Sequence, residues 1–199
     1  EIKMMTNQEI ILQNNRTLLR PLLESDLEHL LPFSLNEPEL WKYSLVQAGG
    51  EENLKNYIKK ALETKEKEDS YPFIVFDKLT QRYAGSTRFY DIQEHHETAQ
   101  IGYTWYGKEF QRSGLNRHCK LLMLQFAFEE RNMKRVEFRA DAKNSRSITA
   151  MKAIGCIEEG ILRSNCAAPE GRRDSIVLSI LKSDWESSVK EHLLSLTSI

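Results

Sequence analysis

The chain has 199 residues, 40% apolar and 29% charged, with a formal net charge of −1. That length suits one domain, residues 1–199, with a full core, and the near-neutral balance speaks against a dedicated nucleic-acid binder. No apolar run is long enough to cross a bilayer, the start (EIKMMTNQEI) lacks a signal-peptide layout, and Cys119, Cys156 and Cys166 form no C-x-x-C, which together point to a reducing cytoplasm without a zinc site.

Taken in chain order, "RTLLRPL" (16–22) reads as a short strand. "SDLE" (25–28) has capping-box form, with Ser25 serving the Glu28 N–H, so a short helix should follow and stop near Pro32. In "EENLKNYIKKALETKEKED" (51–69), Leu54, Ile58, Ala61 and Leu62 share one stripe of an amphipathic helix. "YPFIVFD" (71–77) and "RYAGSTRFYDI" (82–92) read as a hairpin, and "TAQIGYTWYG" (98–107) as a third strand. After Gly114 a helix should bury Cys119, Leu122, Met123, Phe126 and Ala127.

"KRVEFRA" (134–140) is a further strand, and "NSRSITAMKAIG" (144–155) a short helix ended by Gly155. "EEGILRSNCA" (158–167) and "DSIVLSIL" (174–181) flank the turn "PEG" (169–171) as a closing hairpin. "SDWE" (183–186) repeats the capping-box form and opens a last helix. The strand–helix–strand unit over about 98–140 implies one parallel pair with a right-handed crossover, so the sheet should be mixed and the class α/β.

Gln111-Arg112-Ser113-Gly114-Leu115-Asn116 leaves a strand and opens the strongest helix. A helix start presents unpaired N–H groups and partial positive charge, a context that suits a pyrophosphate. The segment is neither a Walker loop nor a dinucleotide fingerprint.

Four stretches in order, "LLRPLLESDLEHL", "IGYTWYGKEFQRSGLN", "RVEFRADAKNSRSITAMKAIGCIEEGILR" and "RDSIVLSILKSDW", resemble the GNAT acetyltransferases over roughly residues 15–185, and within them the RimJ/RimL type that acetylates ribosomal-protein N-termini. The resemblance implies a GNAT fold, with a mostly antiparallel sheet, a central splayed parallel pair and flanking helices. It implies acetyl-CoA as co-substrate, its pyrophosphate on the backbone of Gln111, Arg112, Ser113, Gly114, Leu115 and Asn116. Thr104, Trp105 and Tyr106 would offer main-chain groups to the pantetheine arm, with the Tyr106 amide polarising the thioester carbonyl. Asn144 and Ser147 match the family's N-x-x-S beside the sulfur.

Departures from the pattern bear on the chemistry. Asn116 stands where Gly or Ala is usual, which left-handed geometry tolerates. Met151 occupies the place of the frequent tyrosine acid, leaving Ser147 as the substitute, and Gln100 stands where this branch often has a glutamate base. An α-amine is about a tenth neutral at pH 7 and a lysine only about 0.04%, so a missing carboxylate suits an α-amine acceptor. The expected reaction is direct transfer in a ternary complex from acetyl-CoA to a primary amine, a protein N-terminus being the first choice. A small-molecule acceptor (amino acid, polyamine or aminoglycoside) and a non-catalytic acyl-CoA-binding module remain as alternatives. Homodimerisation is left open, and no membrane or direct nucleic-acid partner is expected.

Other residues invite weighing. "EHHE" (94–97) reads as a solvated loop rather than a metal site or an amine relay through His95 or His96, and Cys119 reads as core filler. Trp41 and Tyr43 lie where the family forms its acceptor cleft, with packing and contact equally open. Arg117 and Lys120 are read as a solvated face, with phosphate contact the alternative, and Arg172-Arg173 as a hairpin rim.

Overall fold

The computed structural model describes residues 9–67, 70–169 and 171–198. Strands β1 (Leu12–Gln13), β2 (Thr17–Pro21), β3 (Ser70–Asp77), β4 (Arg82–Gln93), β5 (Thr98–Tyr106), β6 (Arg135–Asp141), β7 (Ile157–Ala168) and β8 (Gly171–Leu181) form one sheet. Its order is β1-β2-β3-β4-β5-β6-β8-β7. Every neighbouring pair is antiparallel except β5 and β6. That pair is in register only over Thr98↔Arg135, Ala99↔Val136 and Gln100↔Glu137. Beyond Gln100 the two strands diverge, and β5 continues to Tyr106 with a free edge.

Helices α1 (Leu27–Asn36) and α2 (Glu51–Glu66) pack on each other and against β3 and β4, whereas α3 (Leu115–Gln125) packs against β1 and β2. Helix α4 (Ser145–Ala153) follows β6. The chain closes through α5 (Lys182–Asp184), a π turn (Trp185–Val189) and α6 (Lys190–Thr197), which lies on α3. Strand β3 is covered on both faces, which is why "YPFIVFD" is apolar throughout rather than alternating. Helix α2 buries Leu54, Tyr57, Ile58 and Ala61, while Leu62 is half-buried at the stripe's edge.

Two bulges shape the pairing of β4 with β5. Ser86 faces Trp105 and Arg88 faces Gly102, so Tyr103 and Thr104 oppose Thr87 alone. Nearer the other end Tyr90 faces Gln100 and Gln93 faces Thr98, so Asp91 and Ile92 oppose Ala99. Tyr103 (φ 50°) and Asp91 (φ 46°) take the left-handed backbone that absorbs the extra residue.

Both capping boxes lie two residues earlier than expected. Asp26 Oδ2 accepts from Leu23 N–H, and Asp184 Oδ2 accepts from Leu181 N–H, each at 2.9 Å. Asp26 is also buried against the Arg20 guanidinium, which draws it inward and leaves Ser25 and Glu28 in solvent. Helix α1 runs through Pro32 rather than stopping there. Pro32 and Glu28 both lie on the exposed side, where the carbonyl that lost its donor meets water, while Leu30, Phe33 and Ser34 anchor the opposite side. Of the N-terminal stretch 1–10, residues 1–8 lie outside the described residues, as do residues 68–69 of the α2 segment and residue 170 of the closing turn.

Candidate active site

The polar turn between β5 and α3 is built from two left-handed residues, Arg112 (φ 60°) and Gly114 (φ 85°). Ser113 Oγ ties it down by donating to the Phe110 carbonyl at 2.6 Å. Among the described residues none accepts from the backbone N–H of Arg112, Ser113, Gly114 or Asn116. A Cβ on Gly114 would meet nothing within 4 Å, so the loop opens onto free space. Unpaired amides around such a concavity form an anion cradle at the positive end of α3. The four free amides of this six-residue loop therefore fit a pyrophosphate.

Gln111 links this loop to its neighbours. Its Nε2 donates to the Tyr106 carbonyl at 2.8 Å, and its Oε1 accepts from Arg146 at the start of α4 at 2.7 Å. On the other side of the same peptide unit, Gly107 N–H donates to the Ala84 carbonyl on β4. Extended geometry puts a residue's N–H and C=O on one side, so the Tyr106 N–H also faces away from β4, into the splay. The Tyr106 phenol goes elsewhere: it donates to Asn116 Oδ1 at 3.2 Å, and burial pushes it well above its ordinary range.

Across the splay, Asn144 caps α4 by accepting from Ser147 N–H at 3.2 Å. With Asn144 serving the helix end, the Ser147 hydroxyl makes no hydrogen bond to any described residue. Met151 is buried below it.

The opposite face of the sheet holds a different chemistry. Thr87 on β4 faces α3, where its hydroxyl meets Met123, so its neighbour Arg88 faces α2. Arg88 is 4% exposed, its guanidinium 5.1 Å from the Tyr57 ring centroid and 4.0 Å from that of Tyr103. It borders a cavity of about 220 Å³ lined also by Thr64, Ser70, Tyr90, Asp91 and Tyr103. Asp91 lies at the mouth and adjoins a second polar cavity with Gln100, Arg135, Glu137 and Arg139. Gln100 Nε2 donates to Asp91 Oδ2 at 2.7 Å. Burial raises the Tyr90 phenol above its ordinary range, while Arg139 and Arg173 pull the other way.

Known proteins with this architecture decide the family. Residues 16–157 match the family described as "Acetyltransferase (GNAT) domain". The chain belongs to the GNAT acetyltransferases. It is 27% identical over 181 residues to "Probable N-acetyltransferase YjcK" of Bacillus subtilis, covering 88% of this chain and 99% of that relative. To "Putative ribosomal N-acetyltransferase YdaF" of the same organism it is 30% identical over 102 residues, covering 51% of this chain and 55% of the relative. This chain thus spans about half the length of the second. A solved structure of a "putative acetyltransferase" from T. thermophilus is 28% identical with a TM-score of 0.86, covering 97% of this chain and 100% of that one. The GNAT family carries N-acetyl transfer with acetyl-CoA as co-substrate.

Several residues of this GNAT domain sit elsewhere than the sequence suggests. Lys120 is not on a solvated face: it is 5% exposed, and its Nζ donates to Thr104 Oγ1 at 2.9 Å and Thr87 Oγ1 at 3.3 Å. Leu122 is half-buried while Leu121 and Leu124 are buried, because α3 is covered by the sheet on one side and α6 on another and Leu122 points between them. Trp41 is packed against Trp105 and Tyr57 in the core, and Tyr43 is half-buried under Lys42. Arg173 is buried with Nε on Ser175 Oγ, not a rim residue. Cys119 is fully buried, as expected of core filler. His95 and His96 form an exposed turn, and among the described residues no cluster of metal-ligating side chains occurs. No described helix is long and apolar enough to cross a membrane. Sequence reasoning missed Arg88 and Asp91, which both read as ordinary polar positions of a strand.

Proposed function

We propose that this GNAT domain acetylates a primary α-amine, with a peptide or protein N-terminus as acceptor. The observation that carries the reading is the set of unpaired amides at Arg112, Ser113, Gly114 and Asn116, opening beside the free edge of β5. Bound there, acetyl-CoA supplies an activated thioester. Within the loop from Gln111 to Asn116, the free backbone amides of Arg112, Ser113, Gly114 and Asn116 hold the pyrophosphate, and the main chain of Thr104 to Tyr106 lines the pantetheine path.

The acceptor enters from the α2 side, so the two reactants meet through the splay. Asp91 takes the proton of the attacking amine through a chain of waters along the splay, since it lies six residues along β4 from Gly85, the partner of Tyr106, and it stands in for the glutamate that Gln100 displaces. Tyr106 N–H stabilises the oxyanion of the tetrahedral intermediate, and such a preorganised donor contributes a large share of the acceleration. Ser147 Oγ–H faces the sulfur as the C–S bond breaks and the thiolate leaves. The ribosomal acetyltransferase description of one relative, together with the low demand of an α-amine for base, supports the acceptor class.

Incubation with acetyl-CoA and peptides carrying both a free N-terminus and a lysine tests this. Thiol release that needs the peptide, with mass shifts located at the α-amine, is the expected result. Release no faster than in the absence of the protein would leave a coenzyme-binding module, release indifferent to peptide would be hydrolysis rather than transfer, and acetylation confined to lysine Nε would overturn the acceptor class.

A further inference from the structure

Among the described residues, Arg88 presents a buried guanidinium with no carboxylate at salt-bridge distance, and its Nε has no hydrogen-bond partner. Arginine stays ionised at any working pH, and an ion removed from water without a counter-charge is costly. The flanking rings of Tyr57 and Tyr103 contribute cation–π attraction, but this engages the flat faces of the guanidinium. Its five N–H donors lie in the plane, where carboxylates bind side by side. The guanidinium borders the cavity shared by Thr64, Ser70, Tyr90 and Asp91, whose volume of about 220 Å³ is room for a small polar molecule or the end of a peptide.

The position of this cation is as informative as its isolation. Tyr103 is the bulged residue next to Thr104, so the cavity abuts the segment of β5 beside the splay. Arg173 is a second buried arginine without a carboxylate at salt-bridge distance among the described residues, and it acts on Tyr90 in the same cleft. Asp91 at the mouth supplies the opposite charge. An ammonium drawn to Asp91 and a carboxylate drawn to Arg88 would belong to one acceptor molecule.

We propose that Arg88 is a carboxylate-binding residue of the acceptor site, so that the preferred acceptor carries an acidic group close to its reactive amine. The inference rests on the α-amine reading above and narrows it. The carboxylate is either an acidic side chain next to a peptide N-terminus or the α-carboxylate of a free amino acid.

Two matched pairs separate these sources: Ala-Glu-Ala-amide against Ala-Gln-Ala-amide, and alanine against alaninamide. Each is titrated calorimetrically into the CoA-loaded enzyme, and thiol release with acetyl-CoA is followed in parallel. The expected result is an acid bound at least about tenfold more tightly than its amide in one pair or both, and the favoured pair names the source. Arg88→Gln should bring that ratio close to one, and Arg88→Lys should keep part of it. A purely structural role for Arg88 under the two tyrosines would leave the ratio unmoved. Equal binding within both pairs, no binding of any member, or a preference that survives in folded Arg88→Gln overturns the proposal. Should Arg88→Gln fail to fold, the wild-type ratios and Arg88→Lys still decide. Preferential acid binding without thiol release would leave Arg88 assigned while removing the transfer reaction.

Discussion

The side-chain amide of Gln100 donates to the Asp91 carboxylate at 2.7 Å, joining β4 and β5 at the point where β5 parts from β6. A carboxylate is thus present at the splay although position 100 lacks one. If Asp91 is the base, Asp91→Asn should lower kcat/KM for a peptide acceptor by about a hundredfold, the lower end for general-base assistance. Restoring the carboxylate from the other strand, in Asp91→Asn with Gln100→Glu, should recover part of the loss. A pH profile of all three enzymes checks this, and an unchanged rate in Asp91→Asn would remove the residue from the reaction.

Gly114 can be tested where stability and affinity part company. A Cβ there clashes with nothing, but the φ of 85° is strained for other residues. Gly114→Val should cost roughly 1–2 kcal/mol in stability, the penalty of left-handed backbone. Its isopropyl group would project into the open side of the cradle, so CoA affinity should fall far more, beyond calorimetric detection. Near-normal CoA binding by the folded variant would sink the pyrophosphate assignment.

Lys120 carries a sign that can be worked out. Burial lowers its pKa from 10.5 to about 8. Below about pH 8 both folded and unfolded chains hold the proton, and the folded state bears the full burden of a desolvated charge. Between about 8 and 10.5 only the unfolded chain is protonated, so this group makes stability rise with pH. The burden at pH 7 is on the order of 3 kcal/mol. Lys120→Met should therefore raise the thermal midpoint at pH 7, and its advantage should shrink toward pH 10. Unfolding midpoints of both proteins from pH 7 to 10 would show it, and a lowered midpoint at pH 7 would mean that the bonds to Thr87 and Thr104 outweigh burial.

What the sequence reveals and what it hides divide along physical lines. Strand and helix order is legible because each element repeats its apolar residues at its own period, as α2 does with Leu54, Ile58 and Ala61. The open loop of free amides before α3 is legible because a glycine at a helix mouth has a local backbone meaning. Lys120 misleads because α3 is covered on more than one side, so its buried surface is wider than a single stripe. Arg88 and Asp91 are hidden because two bulges rather than strict alternation set what faces the cleft. The caps of the turn that leads into α1 and of α5 show the same limit: Ser25 and Ser183 fit the motif, but the aspartate beside each makes the bond.

Ser147 offers the last discrimination, because Asn144 separates the structural duty of this helix start from the chemical one. Asn144 Oδ1 accepts from Ser147 N–H, a bond that survives Ser147→Ala, whereas the Ser147 hydroxyl itself has no partner among the described residues. Asn144→Ala should therefore cost about 1 kcal/mol of stability, the usual worth of a helix cap. Ser147→Ala should leave the thermal midpoint nearly unchanged, since α4 keeps its cap. If the hydroxyl assists the departing thiolate, the same substitution should lower kcat by roughly tenfold to a hundredfold. Thiols ionise near pH 8.5 and leave fairly readily, which places the effect at or just below the lower end of acid assistance. Paired measurements of kcat and midpoint on the two variants decide it. A Ser147→Ala enzyme with full kcat would return the C–S cleavage step to the Tyr106 amide and the solvent alone.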